Sequence, residues 1–381
     1  MVIGEPKSSR LLTRKVARGV LTALAITLAC LCAVAGVLVM WSYPGRPMPY
    51  VDKGGNPVSG SISEKIRVDI NGVAQGMFIK SRDVTHPVLL YLHGGLPDYF
   101  LDHTYPTGLD EDFTVVWWEQ RGSGLSYSPD IPPATMTTEQ FIADTVAVTN
   151  YLRDRFGKEK IYLMGHSGGS FFGIQAAARM PQLYEAYIGV AQMADQLESE
   201  RLAYDYMLER YRAEGNTPMV RKLEAAPVTT SARVPPTYLK VRDTAMHGLG
   251  VGTMHNMSSV VSGIFLPSLQ SREYTLGGKV KLWRGKFGAG VSSLWKEMIT
   301  TDLATTVTEL SIPVYLFHGI YDYTCSYAEA RAYFEVIKAP VKGFYTFDQS
   351  AHSPIFEEPD KVRRIVSTDV LAGTNRLTES Q

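Results

Sequence analysis

Cysteine is scarce in this sequence, with three residues among 381. Cys30 and Cys32 lie in an apolar run near the N-terminus, which leaves Cys325 alone in the rest of the chain. A lone cysteine cannot form an internal disulfide, so the body must be stabilised by its hydrophobic core. Apolar residues make up 45 % of the chain, which excludes a protein that is disordered throughout.

Metal-binding and nucleotide-binding motifs are missing as well. The sequence contains no H-x-x-x-H or C-x-x-C pair, no phosphate-binding loop and no dinucleotide fingerprint. We therefore expect no metal ion and no cofactor. A net charge is also lacking, because 38 basic residues balance 38 acidic ones. Acidic residues are in excess beyond residue 18, which argues against nucleic acid as a partner because phosphate binding needs a basic face.

The first 41 residues have the charge pattern of a membrane anchor. One acid, Glu5, accompanies five bases in residues 1–18, namely Lys7, Arg10, Arg14, Lys15 and Arg18. The uncharged run from Gly19 to Trp41 is long enough for a helix to cross a hydrocarbon core of about 30 Å. The positive-inside rule then predicts a single-pass protein of the cell membrane, with a cytoplasmic N-terminus and an extracytoplasmic body. A second interpretation stays open: Ala33-Val34-Ala35 resembles a signal-peptidase site, and cleavage after Ala35 would secrete the protein.

Short apolar runs alternate with amphipathic helical patterns in the body. Continuous apolar runs of strand length are typical of strands that are buried on both faces, as in a parallel sheet. They occur at 88–92, 114–118, 161–164, 187–191 and 314–317, with a weaker one at 344–347 and a hairpin at 62–70 and 76–80. The alternation predicts an α/β fold with a mostly parallel central sheet flanked by helices.

This rhythm stops between residues 195 and 306, which predicts an inserted, mainly helical cap. Prolines and glycines between residues 42 and 60 indicate a linker. The predicted organisation is a basic cytoplasmic tail at 1–18, a transmembrane helix at 19–41, a linker at 42–60, a core in two parts at 61–194 and 307–381, and the cap at 195–306 between them.

Ser167 is the candidate nucleophile. It lies in Gly165-His166-Ser167-Gly168-Gly169, which fits G-x-S-x-G between a predicted strand and a predicted helix. That context places the serine on a tight turn at the carboxyl end of a strand, where its hydroxyl is exposed to substrate. A plain glycine turn that packs a helix onto the sheet is the alternative.

A serine nucleophile needs a base and an acid that orients the base. In chain order the acid and then the histidine are expected after the serine. His352 follows the last predicted strand, and Asp322 follows the strand that ends at Phe317. Asp348 is the rival acid, but it is only four residues from His352, which leaves little room for the required approach. We assign the oxyanion hole to the backbone amides of Gly95, after a strand, and Gly168.

These residues together resemble the α/β-hydrolase superfamily and, within it, the proline iminopeptidase-like serine hydrolases. The resemblance covers about residues 62–365 and depends on His93-Gly94-Gly95, the segment WWEQRGSGLS at 117–126, the serine turn, Asp322 and His352. Within that segment we expect Glu119 and Arg121 to brace the loops around the nucleophile. Two departures weaken the transfer of proline specificity: Leu96-Pro97 replaces the family's Pro-Gly, and Gly168 replaces its usual Trp.

The resemblance implies a serine hydrolase that cleaves an ester or amide bond through an acyl-enzyme. An aminopeptidase of the proline iminopeptidase type, acting on small molecules or short peptides, is the first expectation. A carboxylesterase, a lipase or an acyltransferase with the same triad stays open, as does a non-catalytic binding module on the same fold. The family binds a substrate's amino group with acids of the cap, and candidates here are Glu198, Glu200 and Glu209. The sequence does not indicate the oligomeric state.

Overall fold

The computed structural model of the protein describes residues 7–229 and 233–378. Eight strands form one sheet: β1 (Ile62–Ile70), β2 (Val73–Ser81), β3 (Val88–Leu92), β4 (Thr114–Glu119), β5 (Ile161–His166), β6 (Tyr184–Val190), β7 (Val314–Gly319) and β8 (Lys342–Phe347). Their order across the sheet is β1-β2-β4-β3-β5-β6-β7-β8. Strands β3 to β8 are parallel to one another. Strands β1 and β2 form an antiparallel hairpin, and β2 pairs with β4 in the antiparallel sense. The predicted α/β fold with a mostly parallel sheet is confirmed.

Thirteen α-helices accompany the sheet in the described residues: α1 (Lys7–Trp41), α2 (Thr138–Phe156), α3 (Gly168–Arg179), α4 (Gln196–Ala213), α5 (Thr217–Glu224), α6 (Pro236–Gly248), α7 (Leu266–Gln270), α8 (Leu276–Gly288), α9 (Trp295–Thr300), α10 (Leu303–Thr306), α11 (Tyr327–Val336), α12 (Pro354–Glu357) and α13 (Pro359–Ile365). Helices α4 to α10 lie between β6 and β7, where the sequence predicts the cap.

Burial explains why the central strands form where they do. Every residue of β3, β4 and β7 is buried, so helices and loops cover both faces of the sheet. Helix α2 begins after Thr137, whose side chain accepts a hydrogen bond from Gln140 N, and it ends at Gly157 in the left-handed conformation. Its Phe141 packs against Phe172 of α3 with 4.9 Å between ring centroids. These two helices support the sheet directly below the serine turn.

Two segments differ from what the pattern alone indicates. The glycine-rich stretch 276–290 has no clear periodicity, yet most of it is helix α8, whose N-terminus is capped by Thr275. Helix α1 already includes residues 7–18, ahead of the apolar run, because these residues contain no helix-breaking residue. Residues 1–6 of the predicted basic tail lie outside the described residues.

Helix α1 contains a candidate membrane span. The stretch Lys15–Trp41 is long and apolar enough to cross a bilayer, and it stands exposed outside the body of the protein. Length and composition support this assignment, and an N-terminal signal sequence has the same two properties.

Candidate active site

Ser167 lies on a strained turn between β5 and α3. Its backbone angles, φ 56° and ψ −126°, are unusual for a residue with a side chain. The turn is possible because two neighbouring glycines approach other backbone very closely. A Cβ atom on Gly169 would be 2.2 Å from Leu92 O, and one on Gly165 would be 2.7 Å from Gly169 O. The G-x-S-x-G spacing is therefore required by packing as well as by exposure of the hydroxyl.

Asp322 and His352 are in direct contact. The Nδ1–H of His352 donates to Asp322 Oδ2 at 2.9 Å, and this side chain of Asp322 is completely buried. The other carboxylate oxygen accepts hydrogen bonds from the backbone amides of Thr324, at 2.8 Å, and Cys325, at 3.0 Å. His318 Nε2 lies 3.2 Å from Asp322 Oδ2 and 2.8 Å from Cys325 O. The acid is thus fixed from four directions.

These contacts shift the pKa values of both groups. Burial raises the pKa of Asp322, but the nearby His352 and the hydrogen bonds from His318 and His352 outweigh it and hold the pKa well below its usual range. Burial lowers the pKa of His352 below its ordinary 6.5, against the opposing effect of Asp322. An ionised aspartate beside a neutral imidazole at pH 7 is the charge state that a general base requires.

Ser167 and His352 line the same cavity, together with Cys325. Within the described residues, no hydrogen bond joins the Ser167 hydroxyl to the His352 ring, and such bonds often form only with substrate bound. Burial raises the pKa of Cys325, against the opposing effect of a hydrogen bond with Ser167. The fold therefore brings the three predicted residues Ser167, Asp322 and His352 together. We expect the hydrogen bond between the Ser167 hydroxyl and the His352 ring to form when substrate binds.

The predicted oxyanion-hole residues lie in this cavity as well. Gly168 is the first residue of α3, so its amide has no acceptor within the helix. Gly95 lies in the loop after β3, and its neighbour Gly94 approaches the serine so closely that a Cβ there would be 2.7 Å from Ser167 Cβ. Cap residues occupy the space beside Gly168, where a Cβ would be 2.7 Å from Val291 Cγ1. Gly168 thus leaves room for the cap in place of the large side chain of the family.

Hydrogen bonds from the segment 117–126 hold the loops around the site. His93 Nε2 accepts from the Gln120 amide at 3.2 Å, and Gln120 Nε2 donates to His93 O at 2.7 Å, so this histidine anchors its loop. Arg121 forms a buried ion pair with Asp144 on α2. Glu119 accepts hydrogen bonds from the Leu125 amide and from the hydroxyl of Tyr274 in the cap. Burial raises the pKa of Glu119 to about 7.

A second histidine supports the catalytic one from behind. His166 Nε2 donates to the backbone oxygen of His352 at 2.8 Å. Its Nδ1 lies 3.1 Å from Asp98 Oδ2, which also accepts from the Tyr91 hydroxyl at 2.6 Å. Burial opposes a charge on His166, but the hydrogen bond to Asp98 outweighs it and raises the pKa. The second position of the serine motif gives no signal of this role in the sequence.

The cavity above Ser167 has a volume of about 730 Å³ and is roofed by the cap. Apolar side chains from both the core and the cap make up most of its wall. Lys286 is a cation close to the oxyanion loop: a Cβ on Gly95 would be 3.1 Å from its Nζ. Among the described residues no carboxylate forms an ion pair with Lys286, and burial lowers its pKa. Lys286 could not be predicted from the sequence, because it lies in the stretch 276–290, which has no clear periodicity.

The three cap acids that the resemblance suggests as ligands of an amino group are differently placed. Glu200 is fully buried and forms an ion pair with Arg242 of α6, with Oε2 2.6 Å from Nε. Glu198 pairs with Arg201 one helical turn away, and Glu209 is exposed. None of the three lines the cavity of Ser167, whereas Arg242 does. These three acids are thus engaged elsewhere, whereas Asp243 of α6 lines the cavity and pairs with Arg242.

Comparison with known proteins agrees with this geometry. A family profile described as alpha/beta hydrolase fold matches residues 87–359. The chain belongs to the α/β-hydrolase family. A probable aminopeptidase, YbaC, from Bacillus subtilis (strain 168) is 30 % identical over 309 residues, which cover 80 % of this chain and 95 % of that protein. The family and its hydrolase character, both predicted from the sequence, are confirmed.

Solved structures share the same fold at lower identity. The proline iminopeptidase of Mycobacterium smegmatis has a TM-score of 0.59 and 18 % identity, covering 81 % of this chain and 98 % of that one. A proline iminopeptidase-related protein from Thermus thermophilus has a TM-score of 0.56 and 19 % identity, covering 82 % and 98 %. The predicted likeness to proline iminopeptidase-like proteins is thereby confirmed at the level of fold.

Proposed function

We propose that this protein is a serine hydrolase that cleaves an ester or amide bond through an acyl-enzyme. The observation that carries the proposal is the buried pair of Asp322 and His352 facing the cavity of Ser167. His352 takes the proton of the Ser167 hydroxyl as its oxygen attacks the substrate carbonyl carbon. The amides of Gly95 and Gly168 donate to the oxygen that becomes negative.

The reaction then proceeds in two halves. His352 returns its proton to the leaving alcohol or amine as the carbon–heteroatom bond breaks, which leaves an ester on Ser167. Water, deprotonated by His352, attacks this ester, and the acid product leaves as the proton returns to the serine. Asp322 remains ionised throughout and stabilises the imidazolium that forms twice in each turnover.

The cavity favours an uncharged, apolar acyl group. Its walls are mainly apolar, and the cap acids suggested for an amino group are either paired with arginines or exposed. We therefore propose carboxylesterase activity on apolar acyl esters. The relative from Bacillus subtilis supports a second candidate, an aminopeptidase on small substrates, since it is a probable aminopeptidase with matching length.

A fluorophosphonate probe tests the nucleophile. The wild-type chain should be labelled and the Ser167→Ala variant should not, because the variant lacks the attacking oxygen. Ser170 provides a matched control three residues later: its hydroxyl donates to Ser167 O at 2.6 Å, and Ser170→Ala should keep the labelling. Labelling of Ser167→Ala would disprove the assignment. A probe-silent, intact wild type would instead support the non-catalytic binding module.

Matched substrates separate the two candidate activities. We expect p-nitrophenyl acyl esters to be cleaved with a higher kcat/KM than proline β-naphthylamide. The physical reason is that an aminoacyl substrate carries an ammonium group, which is costly to bury without a free acidic partner. The two acids that line the cavity are already paired, Asp98 with His166 and Asp243 with Arg242. The reverse preference would favour the aminopeptidase.

We also propose that α1 anchors the protein in a membrane, with the N-terminus in the cytoplasm and the active site outside it. The apolar length of Lys15–Trp41 and the five bases before residue 19 support this arrangement. Cleavage after Ala35 would give a secreted form and is the alternative.

A further inference from the structure

The cap has an apolar edge that the fold of the protein leaves uncovered. We call it the cap edge and define it by six exposed side chains: Val261, Phe265, Leu266, Leu276, Val280 and Phe287. Phe287 is 80 % exposed and Val261 57 %. No charged residue occurs between His255 and Arg272, and a soluble surface seldom leaves so many large apolar side chains together in water.

The cap edge lies next to the end of the proposed anchor. Helix α7, which contains Leu266, packs against α1. Lys279 donates from Nζ to Trp41 O at 3.0 Å, and Arg272 donates from Nε to Tyr43 O at 3.0 Å. These contacts fix the cap to the point where the apolar stretch of α1 ends. Tryptophan is common at the level of the lipid headgroups, so Trp41 indicates that the cap edge lies at the membrane surface.

The same edge forms the mouth of the cavity that contains Ser167. Val261, Phe265 and Phe287 line this cavity and are exposed at the same time. Phe265 contacts Trp283 with 5.1 Å between ring centroids, and Trp283 stacks on Phe287 at 5.7 Å. A substrate that enters here passes between aromatic rings before it reaches the nucleophile.

The charge beside the cap edge is positive. Between residues 256 and 296 the only acid is Glu273, which already accepts hydrogen bonds from the Met48 amide and the Tyr99 hydroxyl. Of the bases in the same segment, Arg272, Arg284 and Lys296 are exposed and Lys281 is partly exposed, whereas Lys279 is buried against the end of α1 and Lys286 lines the cavity. Basic side chains around an apolar surface are attracted to anionic lipid headgroups.

We propose that the cap edge inserts into the bilayer that α1 spans, so that the active site takes amphiphilic acyl esters directly from the membrane. The occupant of the cap edge is thus lipid. The substrate is a molecule whose long acyl chain leaves the bilayer between Phe265 and Phe287 and fills the apolar cavity, with its ester carbonyl at Ser167. The claim about substrate rests on the hydrolase proposed above, whereas the claim about membrane contact does not.

Fluorescent labels on the full-length chain test the membrane contact. In a Cys30→Ser, Cys32→Ser background, Cys325 stays because it is buried. Single labels with the dye NBD are placed at Phe287→Cys, at Leu276→Cys beside α1, and at Val336→Cys on α11 as a control with 53 % exposure. The chain is reconstituted in vesicles of phosphatidylcholine and phosphatidylglycerol with or without nitroxide on the acyl chains.

The label at residue 287 decides the result. We expect blue-shifted emission and quenching by lipid nitroxides at residues 276 and 287, and quenching by aqueous iodide at residue 336. Residue 276 lies beside α1, so a label there could contact lipid only because α1 holds it close to the membrane. Its contact with lipid alone would not support insertion of the cap edge. If the label at 287 is quenched by iodide as strongly as that at 336, the mouth faces water and the proposal is overturned.

Two esters of one fluorogenic alcohol test the route of the substrate. The water-soluble acetate reports the chemistry, and the oleate, dissolved in the vesicles, reports entry from lipid. Leu276→Glu with Val280→Glu puts charge on the cap edge at residues that do not line the cavity. We expect the ratio of oleate to acetate turnover to fall at least about fivefold, because each charge must be kept out of the hydrocarbon.

Val336→Glu is the matched control and should leave the ratio unchanged. A wild-type chain that cleaves the acetate but not vesicle-bound oleate overturns the lipid substrate while the hydrolase stands. A chain that cleaves neither ester contradicts the hydrolase, and the label at residue 287 still decides whether the cap edge contacts lipid.

Discussion

Gly94 has no side chain, and this allows the loop after β3 to lie directly against Ser167. A Cβ at this residue would be 2.7 Å from Ser167 Cβ and 3.1 Å from its Oγ. Gly94→Ala should therefore displace the serine and lower kcat by about 100-fold, because catalysis is sensitive to misplacement of about 1 Å. Steady-state kinetics on a soluble ester measure this effect.

Gly95→Ala is the matched control for that substitution. Its Cβ would meet only the flexible ends of Lys286, at 3.1 Å, and Ser292, at 3.4 Å. The amide that we assign to the oxyanion hole is kept, so kcat should fall by less than about tenfold. Equal losses in the two variants would show that the loop as a whole, and not the contact with Ser167, limits activity.

The pH profile depends on the buried imidazole of His352. Its pKa in the folded protein is lowered below 6.5, first by burial and against the pull of Asp322. A base works when it is neutral, so activity is lost as pH falls through this lowered pKa. We expect the acidic limb of kcat/KM to lie below 6.5, and a limb above that value would contradict the assignment.

Residues with a local signal could be predicted from the sequence, and those defined by long-range contacts could not. Ser167 stands in a spaced motif, and Asp322 and His352 follow strands whose apolar runs are visible. His166 supports His352 across 186 positions of sequence, and Lys286 reaches Gly95 from the cap. Such contacts depend on how distant segments pack, which no spacing within the chain records.

At the scale of elements, a buried ion pair joins two helices of the cap. Glu200 of α4 and Arg242 of α6 are 0 % and 12 % exposed. In Glu200→Ala the buried Arg242 keeps only the exposed Asp243 as an ion-pair partner. We therefore expect the free energy of unfolding to fall by about 3 kcal/mol. Thermal unfolding of the detergent-solubilised chain, followed by circular dichroism, measures it.

Glu198→Ala is the control on the same helix. Its pair with Arg201 is partly exposed, so its removal should change stability by less than about 1 kcal/mol. Neither carboxylate is free in the cavity, so neither substitution should raise KM for an aminoacyl substrate selectively. A selective rise would favour the aminopeptidase and a binding role for these acids.

The elements of the core were easier to predict than those of the cap for a physical reason. Strands buried on both faces produce continuous apolar runs, and β3 matches its predicted run residue for residue. The partly exposed β1 matches its predicted bounds too, although its apolar and polar residues alternate from Ile66 onward. Helix α8 contains Gly277, Gly278 and Gly285, which disfavour helix on their own. Gly285 nevertheless fits because a Cβ there would be 2.7 Å from Gly122 O, so tertiary packing decides this helix.

At the scale of the whole molecule, the formal net charge of zero is the sum of a basic N-terminal segment and an acidic body, and this division predicts how α1 is oriented in a membrane. The basic excess before residue 19 and the acidic excess after it lie on opposite sides of one apolar helix. Lys279 and Arg272 then fix the cap to the far end of that helix. These contacts link α1, the cap edge and the mouth of the cavity, so under the proposed anchoring the orientation of α1 determines which compartment and which leaflet the active site faces.

Cysteine labelling of intact cells tests this orientation. With Cys30 and Cys32 replaced by serine and Cys325 buried, Val336→Cys and Lys7→Cys provide one site on the body and one before the span. We expect a membrane-impermeant maleimide to label residue 336 in intact spheroplasts of a bacterial host and residue 7 only after permeabilisation. Labelling of residue 7 from outside would reverse the topology. If the Val336→Cys variant were instead released into the medium with a shortened N-terminus, α1 would be a cleaved signal. The cap edge would then have no anchor to hold it against lipid.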